Sequence, residues 1–73
     1  MHELTSCDKI TTALQKHSNM VYRICFMYLK NKEEAEDAFQ DIFLKYIQAD
    51  IVFENEEHEK AWLCRVSFNR CKD

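Results

Sequence analysis

Asp37, Gln40, Asp41 and Leu44 have side-chain types and a spacing that could do chemistry together. At about 100° per residue they fall on one side of a helix, opposite an apolar stripe. Three polar groups alone make a solvated face. Leu44 in their midst points an apolar group outward among acids. Such a face could dock a partner, yet an isolated exposed leucine is also ordinary surface. The pattern alone leaves both readings open.

A second strip lies near the end of the chain. Arg65, Asn69 and Lys72 share one helical sector, with Trp62 at its edge. The cations suit phosphates, the amide suits base edges and the indole suits stacking, which together would serve nucleic acid. Against this, a tryptophan in a small domain is usually core, and Leu63 and Val66 place an apolar face beside it. Arg70 falls near that apolar sector and is expected to snorkel outward. Phe68 projects away from the same core, with no role assigned to it.

Catalytic or metal chemistry has less support. Glu56, Glu57, His58 and Glu59 form a dense titratable run, but no nucleophile–base pair, phosphate loop or metal-ligand spacing accompanies them. They read as the solvated, acidic start of a helix. The four cysteines, Cys7, Cys25, Cys64 and Cys71, include no CxxC or CxxH pair. They are expected to be reduced, partly buried and to act as small hydrophobes. Zinc held by Cys64, Cys71 and His58 is the lesser alternative. No enzyme activity, cofactor or metal is expected.

These residues need helices to position them. The 73-residue chain has neither glycine nor proline, the residues on which hairpin turns depend and which helices disfavour. An all-α fold follows, a compact domain of four helices. The first is expected over Thr5 to Lys16, capped by Ser6 and favoured by Asp8, with Ile10, Ala13 and Leu14 inward. Ser18 caps a second, to Lys30, with a stripe of Val21, Ile24, Cys25, Tyr28 and Leu29. Asn31 and Glu34 have capping-box spacing and begin a third, to about Ala49, burying Ala35, Ala38, Phe39, Ile42, Phe43 and Tyr46. A loop over Asp50 to Glu57 follows, then a fourth helix from about Glu57 to Lys72 with Asn55 as cap. The expected core contains Ile24, Leu29, Phe39, Ile42, Tyr46, Leu63 and Val66. A chain this short buries roughly 60–65% of its unfolded surface, so its stability margin is thin.

The formal net charge is −3, but its distribution matters more than its sum. Glu33 to Glu59 holds ten acids and one base, Lys45, whereas Lys60 to Lys72 holds four bases and no acid. An acidic middle and a basic end fit two different partners. No stretch approaches the roughly 20 apolar residues of a membrane span, and no signal peptide is evident. A soluble, cytoplasmic protein without a membrane partner is expected.

The order of motifs then becomes informative. VYRICFMYLKNKEEAEDAFQDIFLKYIQ, a short loop and AWLCRVSFNRCKD resemble region 2 of extracytoplasmic-function (ECF) bacterial sigma factors. In that family an apolar helix and a turn precede E-D-x-x-Q-E-x-F-L-x-x-[WY], then a loop with an aromatic, then W-L-x-R-[IV]-x-x-N. The matching residues are Glu36, Asp37, Gln40, Asp41, Phe43, Leu44 and Tyr46, then Phe53, then Trp62, Leu63, Arg65, Val66 and Asn69. Asp41 stands where glutamate is commoner, and the loop's Asn55-Glu56-Glu57 is unusually acidic. The resemblance implies docking on the clamp helices of the RNA polymerase beta-prime subunit through Asp37, Gln40, Asp41, Phe43 and Leu44. It further implies capture of a flipped nontemplate-strand base of the promoter −10 element by Lys45, Ala49, Phe53 and Asn69. Trp62, Arg65, Arg70 and Lys72 would complete the DNA contacts.

On this reading residues 1–73 are one region 2 domain that binds polymerase core and recognises and melts the −10 element in transcription initiation. The family's −35-binding helix-turn-helix would be absent from this chain, as in an excised domain or a protein made of region 2 alone. An anti-sigma factor is a further expected partner. The rival reading is a sigma-like interaction module, a decoy or anti-sigma binder, that never touches DNA.

Overall fold

The computed structural model describes residues 6–72, with burial and side-chain contacts from Lys9 onward. The roles expected of Thr5, Ser6 and Asp8, and the thiol of Cys7, lie outside the described residues. Among the described residues there are three helices and no strand: α1 (Ser6–Leu29), α2 (Lys32–Ala49) and α3 (Glu56–Lys72).

The all-α expectation holds, but the first two expected helices are one. No break occurs at His17-Ser18, and α1 runs for 24 residues. A stripe at Ile10, Ala13, Leu14, His17, Val21, Ile24 and Cys25 keeps helical period throughout. Ser18, expected to cap a new helix, lies within this one, next to His17 in the stripe. His17 is buried, 4% exposed, and its Nε2 lies 3.1 Å from Glu59 Oε1.

The other helix starts follow their capping chemistry. Asn31 is extended and its Oδ1 accepts the Glu34 N–H at 3.0 Å, while Glu33 and Glu34 occupy the first turn. Asn55 does the same for the His58 N–H at 2.8 Å, starting α3 one residue earlier than expected. With no glycine to end α1 and α2, Lys30 and Asp50 themselves take left-handed backbone, at φ 53° and 50°.

The helices pack as an elongated bundle, 44 × 20 × 19 Å. His17 meets Glu59 and Tyr28 meets Phe68, so α1 and α3 run in the same direction. Lys9 over the Tyr46 ring, with Tyr22 against Phe39, sets α2 antiparallel to α1. Val21, Cys25, Ala35, Ala38, Ile42, Tyr46 and Leu63 form the centre of the core. Of the expected core, Ile24, Ile42, Tyr46 and Leu63 are buried, while Leu29, Phe39 and Val66 pack around them half-buried. Cys25 and Cys71 are buried free thiols and Cys64 is a half-buried one. Burial first, then the neighbouring Cys71 thiol, pushes Cys25 up to about 12.

Candidate polymerase- and DNA-facing surfaces

The stripe that buries Ala35, Ala38, Ile42 and Tyr46 turns the opposite side of α2 to solvent. Asp37, Gln40 and Leu44 are exposed there, Leu44 at 51%. Asp41 is half-exposed at the edge of this face, toward α3. Phe43 is buried at 5% and rings with Phe39 and Tyr46, so it supports the face from beneath rather than lying on it.

Arg70 departs from its expected role. Its side chain does not run free beside Lys72 but crosses to α2. Nε donates to Asp41 Oδ2 at 2.9 Å and an Nη reaches Asp37 Oδ2 at 3.4 Å. The Asp41 carboxylate holds the guanidinium above its ordinary pKa, against the opposing effect of burial. The physical reason is position. Arg70 sits on the α3 flank that faces α2, where two acids one turn apart offer closer partners than solvent. Its charge is thereby drawn away from Arg65 and Lys72 and toward α2.

The loop aromatic Phe53 is half-buried and highly engaged. It stacks on Tyr46 at 5.9 Å and 11°, and meets Trp62 and His58 edge-on at 5.9 and 5.1 Å. Lys9 also anchors the loop, donating to the Ile51 carbonyl at 2.7 Å, with its amine 5.4 Å from the Tyr46 ring and 5.9 Å from the Phe53 ring. Beside Phe53 is a hollow of about 370 Å³ lined by Lys9, Lys16, Ile51, Val52, Asn55 and Glu59, among others.

Of Lys45, Ala49, Phe53 and Asn69, Phe53 alone lines this hollow. Lys45 and Ala49 continue the Asp41 row along α2, and both are exposed. Asn69 is exposed on α3, about two turns beyond Trp62. Among the described residues no hydrogen bond or ring contact joins any of the three to Phe53. They form two rows flanking α2 and α3, with Phe53 near one end beside Trp62. Arg65, Asn69 and Lys72 are all exposed on α3, and Trp62 is half-buried at their edge. A small hollow of about 130 Å³ lies between His58, Ala61, Trp62 and Arg65.

Beneath the loop lies a polar cluster that the sequence reading passed over. Glu59, assigned to a solvated helix start, accepts the Tyr46 hydroxyl on one oxygen and meets His17 on the other. The three groups come from three helices, and no described buried side-chain nitrogen or oxygen is left without a partner. Burial and then the Glu59 carboxylate raise the Tyr46 pKa well above its ordinary value. A signal was present in the sequence, since His17, Tyr46 and Glu59 each fall on the apolar stripe of their own helix. Buried polar groups require partners, and these three supply one another.

Among the described residues no three His, Cys, Asp or Glu side chains are grouped to hold a metal ion. His58 instead accepts the Glu54 N–H at 3.3 Å.

Comparison with known families identifies the architecture. The sigma-70 region 2 family model matches residues 13–73, most of the chain and all of α2 and α3. The chain belongs to the sigma-70 region 2 family. No curated protein and no solved structure gives a significant match. Sigma region 2 acts in transcription initiation, through RNA polymerase core and promoter DNA, and is a binding family rather than an enzymatic one. Membership does not favour the DNA-free module. No described helix is long and apolar enough to cross a membrane.

Proposed function

We propose that this region 2 domain is of the ECF type and works as a two-sided adaptor in the cytoplasm. One side docks on the beta-prime clamp helices of RNA polymerase. The other takes up the nontemplate strand of the −10 element and holds it single-stranded. The observation that carries this reading is the α2 face itself. Asp37, Gln40 and Leu44 project from a helix whose opposite side is core, and Arg70 holds Asp37 and Asp41 in a fixed pair.

The DNA side is supported by Phe53, Trp62, Arg65, Asn69 and Lys72, with Lys45 and Ala49 along the facing flank of α2. Phe53 and Trp62 give apolar ring faces for a base, Asn69 an amide for its edge, and Lys45, Arg65 and Lys72 charge for the backbone. Melting is driven by binding energy, since a flipped base gains these contacts at the moment its stack is lost. Few cations and an acidic loop make the affinity weak and salt-sensitive.

The test is a pair of titrations on the whole chain. Gln40→Ala with Asp41→Ala should weaken binding to the isolated clamp helices while costing the fold no more than about 1 kcal/mol, the contribution of the Arg70–Asp41 pair. Phe53→Ala and Asn69→Ala should erase preference among single-stranded −10 variants, whereas Lys72→Ala should lower affinity for all of them alike. Parallel loss of folding and clamp binding would overturn the docking face. Unaltered base preference in both DNA variants would overturn the base site and leave docking standing.

A further inference from the structure

Beyond the two surfaces above, α1 and α3 frame a groove of about 570 Å³ that uses none of the proposed polymerase- or DNA-binding residues. Its apolar floor is Met20, Ile24 and Met27, all from α1. Its rim is basic, with Lys16 and Arg23 on α1 and Lys60 on α3. Glu56 is the opposing acid, and it lies 3.6 Å from Lys16. Arg23 and Lys60 have no ion-pair partner among the described residues. In a chain of net charge −3, two unpaired cations thus border a methionine-lined trough.

The apolar track extends past the groove. Met27 is 65% exposed and Phe26 44%. A second hollow of about 430 Å³, lined by Tyr22, Arg23, Phe26 and Met27, continues along the same helix. From Met20 to Met27 the track covers about two helical turns, roughly 10 Å, a length suited to side chains spaced i, i+3/i+4 and i+7 on a partner helix.

We propose that this α1–α3 groove is a second protein-docking site, whose occupant is an acidic amphipathic helix. Methionines supply an adaptable apolar floor that accepts branched or aromatic side chains. Arg23 and Lys60 would pair with carboxylates on the flanks of that helix, which fixes its charge as the reverse of the rim. A nucleic-acid backbone is a poorer fit. It calls for a continuous run of cations, whereas here Glu56 interrupts the rim, the Met20–Ile24–Met27 floor has no hydrogen-bonding group, and the lining has a single exposed amide, Asn19.

The experiment uses the full chain with ¹³C-methyl-labelled methionines. Three probes are titrated: a 20-residue peptide with leucines at helical spacing and glutamates elsewhere, the same peptide with lysines for glutamates, and a dT 20-mer. Saturable shifts of the Met20 and Met27 methyls with the acidic peptide, and none with the lysine peptide, are expected. Arg23→Glu with Lys60→Glu should weaken that binding at least about tenfold. Arg23→Ala with Lys60→Ala should weaken it several-fold and serves as the test if the charge reversal impairs folding. Unmoved methyls, equal response to both peptides, or a stronger response to dT would each overturn the proposal. Clamp-helix binding is read separately, so failure here does not bear on the α2 face.

Discussion

Arg70 on α3 donates its Nε to Asp41 on α2 at 2.9 Å, tying the end of one helix to the middle of another. That bond sets the proposed docking acids and removes a cation from the DNA side. Arg70→Ala should therefore weaken clamp-helix binding several-fold and leave affinity for single-stranded −10 DNA nearly unchanged. Fluorescence anisotropy with each partner separates the two effects. A loss confined to DNA binding would return Arg70 to the DNA strip. Because the pair is partly exposed, its contribution to stability should be about 1 kcal/mol or less.

Leu44 tests the same face without touching charge. At 51% exposure its truncation removes little from the fold. Leu44→Ala should shift unfolding free energy by less than about 0.5 kcal/mol. Clamp-helix affinity should fall about tenfold, as for an apolar group buried at the centre of an interface. Ile42, two residues earlier and fully buried, should behave oppositely. Ile42→Ala should cost about 2–5 kcal/mol in urea unfolding, enough to threaten so small a domain.

The buried cluster makes a prediction about alkaline pH. Tyr46 and Cys25 both ionise at higher pH in the folded chain than in the unfolded one. An acid group with a raised folded pKa leaves stability intact below its unfolded pKa and erodes it above, because only the unfolded chain releases the proton readily. Stability should thus hold up to about pH 9 and decline beyond it, where free cysteine and then tyrosine titrate. Tyr46→Phe should flatten the part of the decline above about pH 10. Urea midpoints by circular dichroism at a series of pH values would show it, and an unchanged slope in the variant would count against the Tyr46 assignment.

Lys30 closes α1 in left-handed backbone at φ 53°, a conformation that costs a side-chain-bearing residue about 1–2 kcal/mol. Lys30→Gly should stabilise the domain by about 1 kcal/mol, raising Tm by about 4–8 °C. A calorimetric scan without such a rise would mean that the residue's other contributions offset the backbone gain.

The α2 helix was legible almost residue by residue, because its cap, its acidic first turn and its stripe all agree. The caps at Asn31 and Asn55 were legible for the same reason. What misled was a polar group in an apolar row. Ser18 reads as a cap, which leaves His17 between two helices, and Glu59 reads as solvated in its acidic run. The reason is that the contacts that bury them come from other helices, 42 residues apart for His17 and Glu59 and 13 for Tyr46 and Glu59. The Arg70 bridge was hidden in the same way. Helical periodicity put Arg70 near the apolar flank, but the two acids that receive it belong to another helix, and the packing between them is not written in either helix alone. Phe53 was recognised as the loop aromatic, while its stack on Tyr46 required the loop's actual path.

Lys9 gives the loop at residues 50–53 a dependence on a remote end of the chain. Its amine holds the Ile51 carbonyl and sits 3.9 Å from Asp50, while its stem of contacts reaches both the Tyr46 and Phe53 rings. The first turns of α1 and the loop thus behave as a mast and its stay. Fraying at the mast's foot slackens the loop, although the core from Ala13 onward keeps its packing. A fusion or cut ahead of Ile10 would then leave a well-folded bundle whose Phe53 has lost its setting, so loss of base preference in such a chain would report on leverage rather than on contact.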